Sequence, residues 1–279
     1  MAASSSAPIA LATREEGSGP PVLLLHGIGG NRTVWNLVLP ELAREFRVIA
    51  PDLRGHGRTL APPGSTFTFE EMLGDVVHLL DERGLDSAHW VGMSGGSLLA
   101  LRAVLDQTAR CRSLTMVSGS AYTDAHTRAI AQRWAETYAK EGPDAFALRL
   151  LKDLYYPDWV EDHLDFADAL RQDVQEHDYR PAVRWAEAMG KFDERNRIAS
   201  IRLPTLIVQA MDDAIVDASH GRILRQTIPG AQIRILPQTG HMIPVERPKE
   251  TAEAIATLVR AAEAARTGTT PGAPPRPGV

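Results

Sequence analysis

A serine bracketed by glycines is the residue of this chain best suited to nucleophilic chemistry. It is the centre of Gly-Met-Ser-Gly-Gly at positions 92 to 96, between an apolar run that predicts a strand and a run that predicts a helix. So tight a turn strains the serine backbone and leaves room only for minimal side chains beside it, which Gly92 and Gly96 provide. The pattern predicts a nucleophile elbow, with Ser94 at a helix N-terminus where free N–H groups favour negative charge.

A serine hydroxyl is a weak nucleophile until a nearby base accepts its proton. The base is most often a histidine, and a carboxylate commonly orients it. Downstream of Ser94 the chain carries Asp213 after a predicted strand and His241 after Gly240. The motif alone is also compatible with an ordinary glycine-rich turn. The order Ser, Asp, His favours catalysis.

The elements that must bring these residues together alternate between strands and helices. Short apolar runs predict buried strands, at 22–25, 46–50, 88–93, 113–118, 205–209 and 232–236, with an edge strand at 9–13. Helical spacing predicts helices, at 33–44, 69–83, 95–101, 218–226 and 247–266. This alternation is typical of an α/β fold with a doubly wound, mostly parallel sheet, whose sites lie at the carboxyl ends of the strands.

The segment between the predicted strands at 113–118 and 205–209 has a different composition. All five tyrosines of the chain lie in it, and its periodicity is helical without a convincing strand. We therefore predict an α/β core over 8–120 and 197–266, a helical cap over 121–196 and a disordered tail over 267–279. Part of the aromatic set can hold the cap together, and the rest can line an apolar substrate cavity.

Composition narrows the classes of partner. The chain has 279 residues and a net charge of −5 without a long basic run, so neither nucleic acid nor an anionic membrane is expected as partner. Cys111 is the only cysteine, which excludes an internal disulfide and a cysteine-based metal site. With no export signal or membrane-length apolar run, a cytoplasmic location is expected. Oligomeric state does not follow from these features.

Taken together, the motifs resemble those of the α/β-hydrolase fold family from about residue 8 to 265. The matching pieces are each preceded by a predicted strand, namely His26-Gly27-Ile28-Gly29, Asp52-Leu53-Arg54-Gly55-His56-Gly57, the elbow around Ser94, the acid segment ending at Asp213, and Gly240-His241. The resemblance implies an inserted helical cap and a serine hydrolase with a Ser-Asp-His triad.

The resemblance also implies the role of each site residue. Ser94 is the expected nucleophile, His241 the base and Asp213 the carboxylate that orients the histidine. Two other aspartates, Asp212 and Asp217, lie close to Asp213 in sequence. Some family members carry the acid after the preceding strand, which would here indicate Asp124.

Main-chain donors are expected to stabilise the negative charge that develops on the substrate oxygen. These are the backbone N–H groups of Ile28 and Gly95, which form an oxyanion hole. Glycine at position 95 departs from the larger residue usual in the family, and a wider pocket floor is expected from it. No metal or organic cofactor is needed for this chemistry.

The expected activity is hydrolysis of a carboxylic ester or lactone through an acyl-enzyme intermediate, on a small and mainly apolar substrate. Three alternatives remain open: hydrolysis of a carbon–carbon bond in a ring-cleavage diketone, cofactor-free perhydrolysis, and a receptor that retains the fold and binds a ligand without turnover. Aspartate-nucleophile chemistry is disfavoured because the elbow carries a serine.

Overall fold

The computed structural model describes residues 7–268 and contains a seven-stranded sheet in the order β1-β3-β2-β4-β5-β6-β7. The strands are β1 Thr13–Glu16, β2 Pro21–Leu25, β3 Arg47–Pro51, β4 Ala88–Met93, β5 Cys111–Val117, β6 Thr205–Ala210 and β7 Gln232–Leu236. Only β1, at one edge, pairs antiparallel; the other pairings are parallel. The predicted fold class is confirmed.

Both faces of the sheet are covered, which explains the continuous apolar runs. In β2, Leu23 and Leu25 belong to one core cluster and Val22 and Leu24 to the other. Alternation along a strand sends successive side chains to opposite faces, so a strand buried on both faces is apolar at most of its positions.

Helices flank this sheet. Those of the α/β core are α1 Leu39–Leu42, α2 Phe69–Glu82, α3 Gly95–Asp106, α9 Ala218–Thr227, α10 Ile243–Glu246 and α11 Pro248–Thr267. α2, α3 and α9 contribute to the cluster on one face of the sheet. α1 and α11 contribute to the other.

Several predicted boundaries differ from the structure. The helix predicted at 33–44 is a 3-10 turn at Arg32–Trp35 followed by the single-turn α1, because Pro40 has no N–H to donate and its ring obstructs a continuous helix. The edge strand is Thr13–Glu16 rather than 9–13. The last helix extends to Thr267, and the rest of the predicted tail, 269–279, lies outside the described residues.

Five helices lie between β5 and β6, and we call them the helical insert. They are α4 Ala125–Lys140, α5 Pro143–Leu154, α6 Pro157–Asp162, α7 Leu164–Glu176 and α8 Arg180–Met189. A short antiparallel bridge between Tyr122 and Asp193 joins the two connections of the insert to the core. Within residues 7–268, no helix combines the length and apolar content that a membrane crossing requires.

Candidate active site

Ser94 occupies the strained position that the motif predicts. It links the end of β4 to the start of α3 with φ 51° and ψ −119°, a conformation that non-glycine residues rarely adopt. Its N–H donates to the carbonyl of Val117 (2.8 Å), and its own carbonyl accepts from the Ser97 hydroxyl (2.6 Å). These bonds hold the strained turn in place.

The two bracketing glycines let the elbow pack against its own sheet. A Cβ on Gly92 would lie 2.1 Å from the carbonyl oxygen of Gly96, and a Cβ on Gly96 would lie 2.5 Å from that of Leu25. Neither position has space for a methyl group. The sequence requirement for glycine therefore comes from the close approach of α3 to the strands.

Asp213 and His241 are brought into direct contact although 28 residues separate them. The imidazole Nδ1 donates to Asp213 Oδ2 at 2.7 Å, and both side chains are buried. The other carboxylate oxygen, Oδ1, accepts from the N–H groups of Ile215 and Val216. Three donors thus orient this carboxylate, and its bond to Nδ1 selects the imidazole tautomer whose Nε2 can act as a base.

The alternative acid, Asp124, lies in a different interaction. Its Oδ1 accepts from the N–H of Thr127 and caps α4, and its Oδ2 accepts from His220 Nε2 at 3.1 Å. Burial alone would raise the pKa of Asp124, but the hydrogen bonds from Thr127 and His220 together lower it. Asp124 is therefore paired with a histidine other than His241.

The two remaining aspartates near Asp213 are also accounted for. Asp212 is exposed, and its backbone N–H donates to the carbonyl of Thr239. Asp217 caps α9 by accepting from the N–H of Ser219 at 2.8 Å. Of the four aspartates considered, Asp213 is the one in contact with His241.

The two predicted oxyanion donors lie side by side next to Ser94. Gly95 is the first residue of α3, where its N–H has no partner within the helix. A Cβ on Gly95 would lie 3.2 Å from the N atom of Ile28, 3.0 Å from Ile28 Cγ1 and 3.2 Å from Met189 Sδ. The expectation that glycine widens the pocket floor is wrong, because Ile28 and Met189 fill the space that the missing side chain leaves.

Two buried histidines, His26 and His56, pack next to the loop that carries Ile28. The Nε2 atom of His26 accepts from the N–H of Leu53 at 2.9 Å, and the rings of His26 and His56 lie 5.2 Å apart. Trp185 of α8 packs edge-on against His56. Burial lowers the pKa of His26 to about 3 and that of His56 to about 4, so both rings are neutral near pH 7.

Ser94, His241, Ile28 and Gly95 all line one cavity of about 400 Å³. Much of the remaining wall comes from the helical insert. Six aromatic side chains of the insert face this cavity, namely Trp134, Tyr138, Phe146, Tyr155, Phe166 and Tyr179. A mainly apolar wall with a few polar groups beside the reactive residues is the usual form of a small-molecule site.

The insert is also fastened to two of the loops that carry site residues. At the start of α4, His126 donates to the carbonyl of Ala214 and Thr127 to that of Ile215, beside Asp213. At the end of α5, the carbonyl of Leu154 accepts a hydrogen bond from the N–H of Met242, the residue after His241. The position of the insert is therefore linked to the positions of Asp213 and His241.

Two residues near His241 were missed by the sequence analysis. The Ser118 hydroxyl donates to the backbone carbonyl of His241 at 2.8 Å, and Glu246 accepts from the N–H of Gly240 at 2.9 Å. Ser118 gives no separate sequence signal. For Glu246 a signal exists, because it is an acidic residue that follows the apolar stretch 242–245 directly after the histidine.

Comparison with known proteins agrees with this architecture. The model of the alpha/beta hydrolase fold family matches residues 20–248. A protein named as a carbamate hydrolase, RutD, from Azorhizobium caulinodans is 31% identical over 78% of this chain and 82% of its own length. A 2-hydroxy-6-oxo-2,4-heptadienoate hydrolase from Pseudomonas putida is 30% identical, over 83% of this chain and 86% of its own.

A solved structure adds a likeness in three dimensions. A thermophilic esterase from Thermogutta terrifontis superposes with a TM-score of 0.81 at 29% identity. The superposition covers 90% of this chain and 93% of the esterase. The three similar proteins are thus all named as hydrolases, for different substrates.

Proposed function

Because the chain belongs to the α/β-hydrolase fold family, we propose that it is a serine hydrolase that cleaves a carboxylic ester or lactone through an acyl-enzyme intermediate. The observation that carries this proposal is the 2.7 Å contact between His241 Nδ1 and Asp213 Oδ2, in a histidine that lines the same cavity as Ser94. Hydrolase activity is supported by the named relatives; the ester class is supported by the similar esterase.

In the proposed first half-reaction, His241 Nε2 accepts the proton of the Ser94 hydroxyl as its oxygen attacks the substrate carbonyl carbon. Asp213 stabilises the imidazolium that forms, without itself taking the proton. The tetrahedral intermediate collapses when the imidazolium gives that proton to the leaving alkoxide. The alcohol leaves, or in a lactone stays attached as a hydroxyl, and the acyl group remains on Ser94.

The negative charge of the intermediate requires donors aimed at the carbonyl oxygen. The N–H groups of Ile28 and Gly95 are the proposed pair, and each such donor typically lowers the barrier by about 3 kcal/mol. In the second half-reaction His241 accepts a proton from water, and the hydroxide oxygen attacks the acyl carbon. The acid is released, and the proton returns to the Ser94 oxygen.

The substrate is proposed to carry an apolar acyl or alcohol group. The support is the cavity wall, to which the insert contributes six aromatic side chains beside Leu150, Leu154 and Leu170. Burying apolar area contributes about 25 cal/mol per Å², so binding energy is expected from this part of the substrate. The hydroxyls of the lining tyrosines can accept or donate to its polar atoms.

A second candidate is hydrolysis of a carbon–carbon bond in a dienoate of the ring-cleavage type. It is favoured by the 30% identity to the heptadienoate hydrolase, and it would use the same three side chains. Turnover rates for a p-nitrophenyl ester, a lactone, a carbamate and a ring-cleavage dienoate distinguish the candidates. The ester proposal expects the ester or lactone to have the highest kcat/KM.

The decisive experiment is Ser94→Ala together with covalent labelling. A fluorophosphonate probe should add one label to the wild-type protein and none to Ser94→Ala, and ester turnover should fall on the order of 10⁶-fold. Ser200→Ala, at an exposed serine that does not line the cavity, is the control and should label normally. Full turnover by folded Ser94→Ala would end the proposal.

A further inference from the structure

Glu246 is a buried carboxylate within the peptide segment that carries His241. It is the last residue of α10, and 8% of its surface is exposed. Its Oε2 accepts from the N–H of Gly240 at 2.9 Å and from the N–H of Tyr156 at 3.1 Å. One oxygen therefore joins the residue before His241 to the connection between α5 and α6 in the helical insert.

A second hydrogen bond crosses the same boundary on the other side of His241. The N–H of Met242 donates to the carbonyl of Leu154 at 3.1 Å. Both sequence neighbours of the histidine are thus tied to the insert segment 154–156, one directly and one through Glu246. The segment at Gly240 packs closely against the insert segment 154–156, since a Cβ on Gly240 would lie 2.6 Å from Tyr156 N and 2.8 Å from Leu154 O.

The environment of Glu246 is costly for a charge. Burial raises its pKa, although backbone N–H groups, first that of Gly240, and the nearby His241 oppose the rise. Its other oxygen, Oε1, is buried and has no hydrogen-bond partner among the described residues. Burying a carboxylate is costly unless it is hydrogen-bonded, so the bonds that Oε2 accepts from the two N–H groups are what holds this side chain in place.

We propose that Glu246 is a positioning residue that holds the His241 loop and the insert segment 154–156 in one arrangement. The inference rests on the proposed function, since it assigns His241 as the base. Asp213 already fixes Nδ1 of the His241 ring, and the Ser118 hydroxyl fixes the backbone carbonyl of His241. Glu246 fixes the backbone just before the ring, at Gly240, and the bond from Met242 to Leu154 fixes it just after.

The same bond sets the cavity wall. Leu154 and Tyr155 line the cavity, and Tyr156 follows them directly. A shift of the insert segment therefore changes the wall and the base together. Displacements of about 1 Å at a catalytic group can cost on the order of 100-fold in rate, so one buried oxygen can couple substrate fit to catalysis.

The first test compares Glu246→Gln with Glu246→Leu. Glutamine keeps an acceptor oxygen for both N–H groups, whereas leucine of similar size keeps none. We expect Glu246→Leu to lower kcat by a factor of roughly 10 to 100, with Glu246→Gln restoring most of the rate. Activity is expressed per fluorophosphonate-labelled serine, so that unfolded protein does not count.

The matched control is Glu71→Leu. Glu71 is also buried and also accepts from two backbone N–H groups, those of Thr66 and Phe67, but it does not line the cavity. It differs from Glu246 in having an ion pair, with Arg54 at 3.7 Å, so its loss should cost at least as much stability. This variant should lower the melting temperature and leave kcat per labelled serine unchanged. Comparing Glu71→Leu with Glu246→Leu separates an effect on the stability of the fold from an effect on the position of His241.

The second test breaks the bond from the other end and does not depend on Glu246→Leu folding. Tyr156 has φ −67°, which proline adopts without strain. Tyr156→Pro removes the donor and places a ring carbon against the carboxylate; Tyr156→Ala loses the side chain but keeps the N–H. The Pro variant should lose kcat relative to the Ala variant, and Glu246→Ala should mask that difference in the double variant.

Each outcome decides one question. Equal kcat per labelled serine in Glu246→Leu, Glu246→Gln and wild type, or equal kcat in Tyr156→Pro and Tyr156→Ala, would overturn the positioning role. If wild type takes up no label, or Ser94→Ala keeps full turnover, the proposed function itself fails. A labelled and active wild type with silent Glu246 and Tyr156 variants removes this inference alone.

Discussion

Among residues 7–268, two buried histidines are each paired with an aspartate, and one of the two, His241, lines the cavity. His241 donates to Asp213 at 2.7 Å, and His220 donates to Asp124 at 3.1 Å. Both imidazoles are almost fully buried, 2% exposed in His241 and 3% in His220. Burial and an Asp partner therefore do not by themselves distinguish a base from a structural histidine.

The difference lies at the second nitrogen of each ring. Asp213 accepts a hydrogen bond from Nδ1 of His241, a residue of the cavity wall that includes Ser94. Asp124 accepts a hydrogen bond from Nε2 of His220, whose Nδ1 is buried and, among the described residues, has no hydrogen-bond partner. The face of a tyrosine, Tyr122, lies 4.8 Å from that ring. An Asp–His pair is suited to catalysis only where the free nitrogen meets substrate.

The largest expected effect separates the two carboxylates. Asp213→Asn should lower kcat by about 10⁴-fold, because an amide cannot hold the productive tautomer or stabilise the imidazolium. Asp124→Asn should leave kcat near that of wild type. Steady-state ester hydrolysis measures both. Equal losses in the two variants would show that the pairs do not differ in the way that their geometry indicates.

A smaller effect is expected at the proposed oxyanion hole, which lines the same cavity as His241 but, within residues 7–268, has no counterpart beside His220. Gly95→Ala places a methyl group 3.2 Å from Ile28 N, which must displace that donor or Met189. We expect kcat to fall by a factor of roughly 10 to 100. Gly74→Ala is the control, since the added Cβ meets only Pro8, at 4.0 Å. An unchanged kcat in Gly95→Ala would contradict the placement of the hole.

The pairs can also be compared with His26 and His56, which are buried without a carboxylate partner. Their pKa values are lowered to about 3 and about 4 from 6.5, so between those limits the unfolded chain binds more protons than the folded one. Stability is then full above pH 6.5 and decreases as pH falls. At pH 5 each imidazole should cost about 2 kcal/mol relative to pH 7.

Urea unfolding at pH 7 and pH 5 measures this cost. His56→Phe removes one titrating ring, and we expect it to reduce the loss between the two pH values even if the variant is less stable at both. Carboxylates that titrate near pH 5 contribute equally to both proteins, so the difference reports His56. The same pH dependence in variant and wild type would mean that His56 is not neutral in the folded state.

The smallest effect tests the structural role assigned to the second pair. Asp124→Ala removes the N-cap of α4 and the acceptor of His220, and we expect a loss of about 1 to 2 kcal/mol in unfolding free energy. Ester kcat at pH 7 should stay close to that of wild type. Thermal melts and turnover on one preparation measure both quantities. A large loss of kcat without a loss of stability would move Asp124 into the catalytic site.

Much of the fold follows from local patterns. Strand β7 is Gln232–Leu236 as predicted, and the elbow at Ser94 has the backbone strain that its glycines indicate. Each depends on neighbours in sequence: alternating or continuous apolar residues for a strand, small residues for a close turn. The predicted continuous helix at 33–44 is wrong, because Pro40 has no N–H to donate and its ring obstructs the preceding turn.

The identity of the acid could not follow from such patterns. Four aspartates, Asp124, Asp212, Asp213 and Asp217, lie after strands at the same edge of the sheet, and the sequence alone could order them only through the resemblance. The fold decides between them, because adjacent parallel β6 and β7 bring one turn beside the loop of His241. The side chain of Asp212 is exposed, and that of Asp124 contacts His220 of α9 rather than His241.

The sequence by itself determined the residue types, their order and the strand-turn-helix that strains Ser94, since these depend on steric and apolar patterns over a few neighbouring positions. Only the tertiary structure decided which Asp meets His241, that Ile28 and Met189 occupy the space beside Gly95, and that Glu246 joins Gly240 to Tyr156 of the helical insert. Those contacts connect residues far apart in the chain, and distance through space between such residues is set by packing of the whole fold.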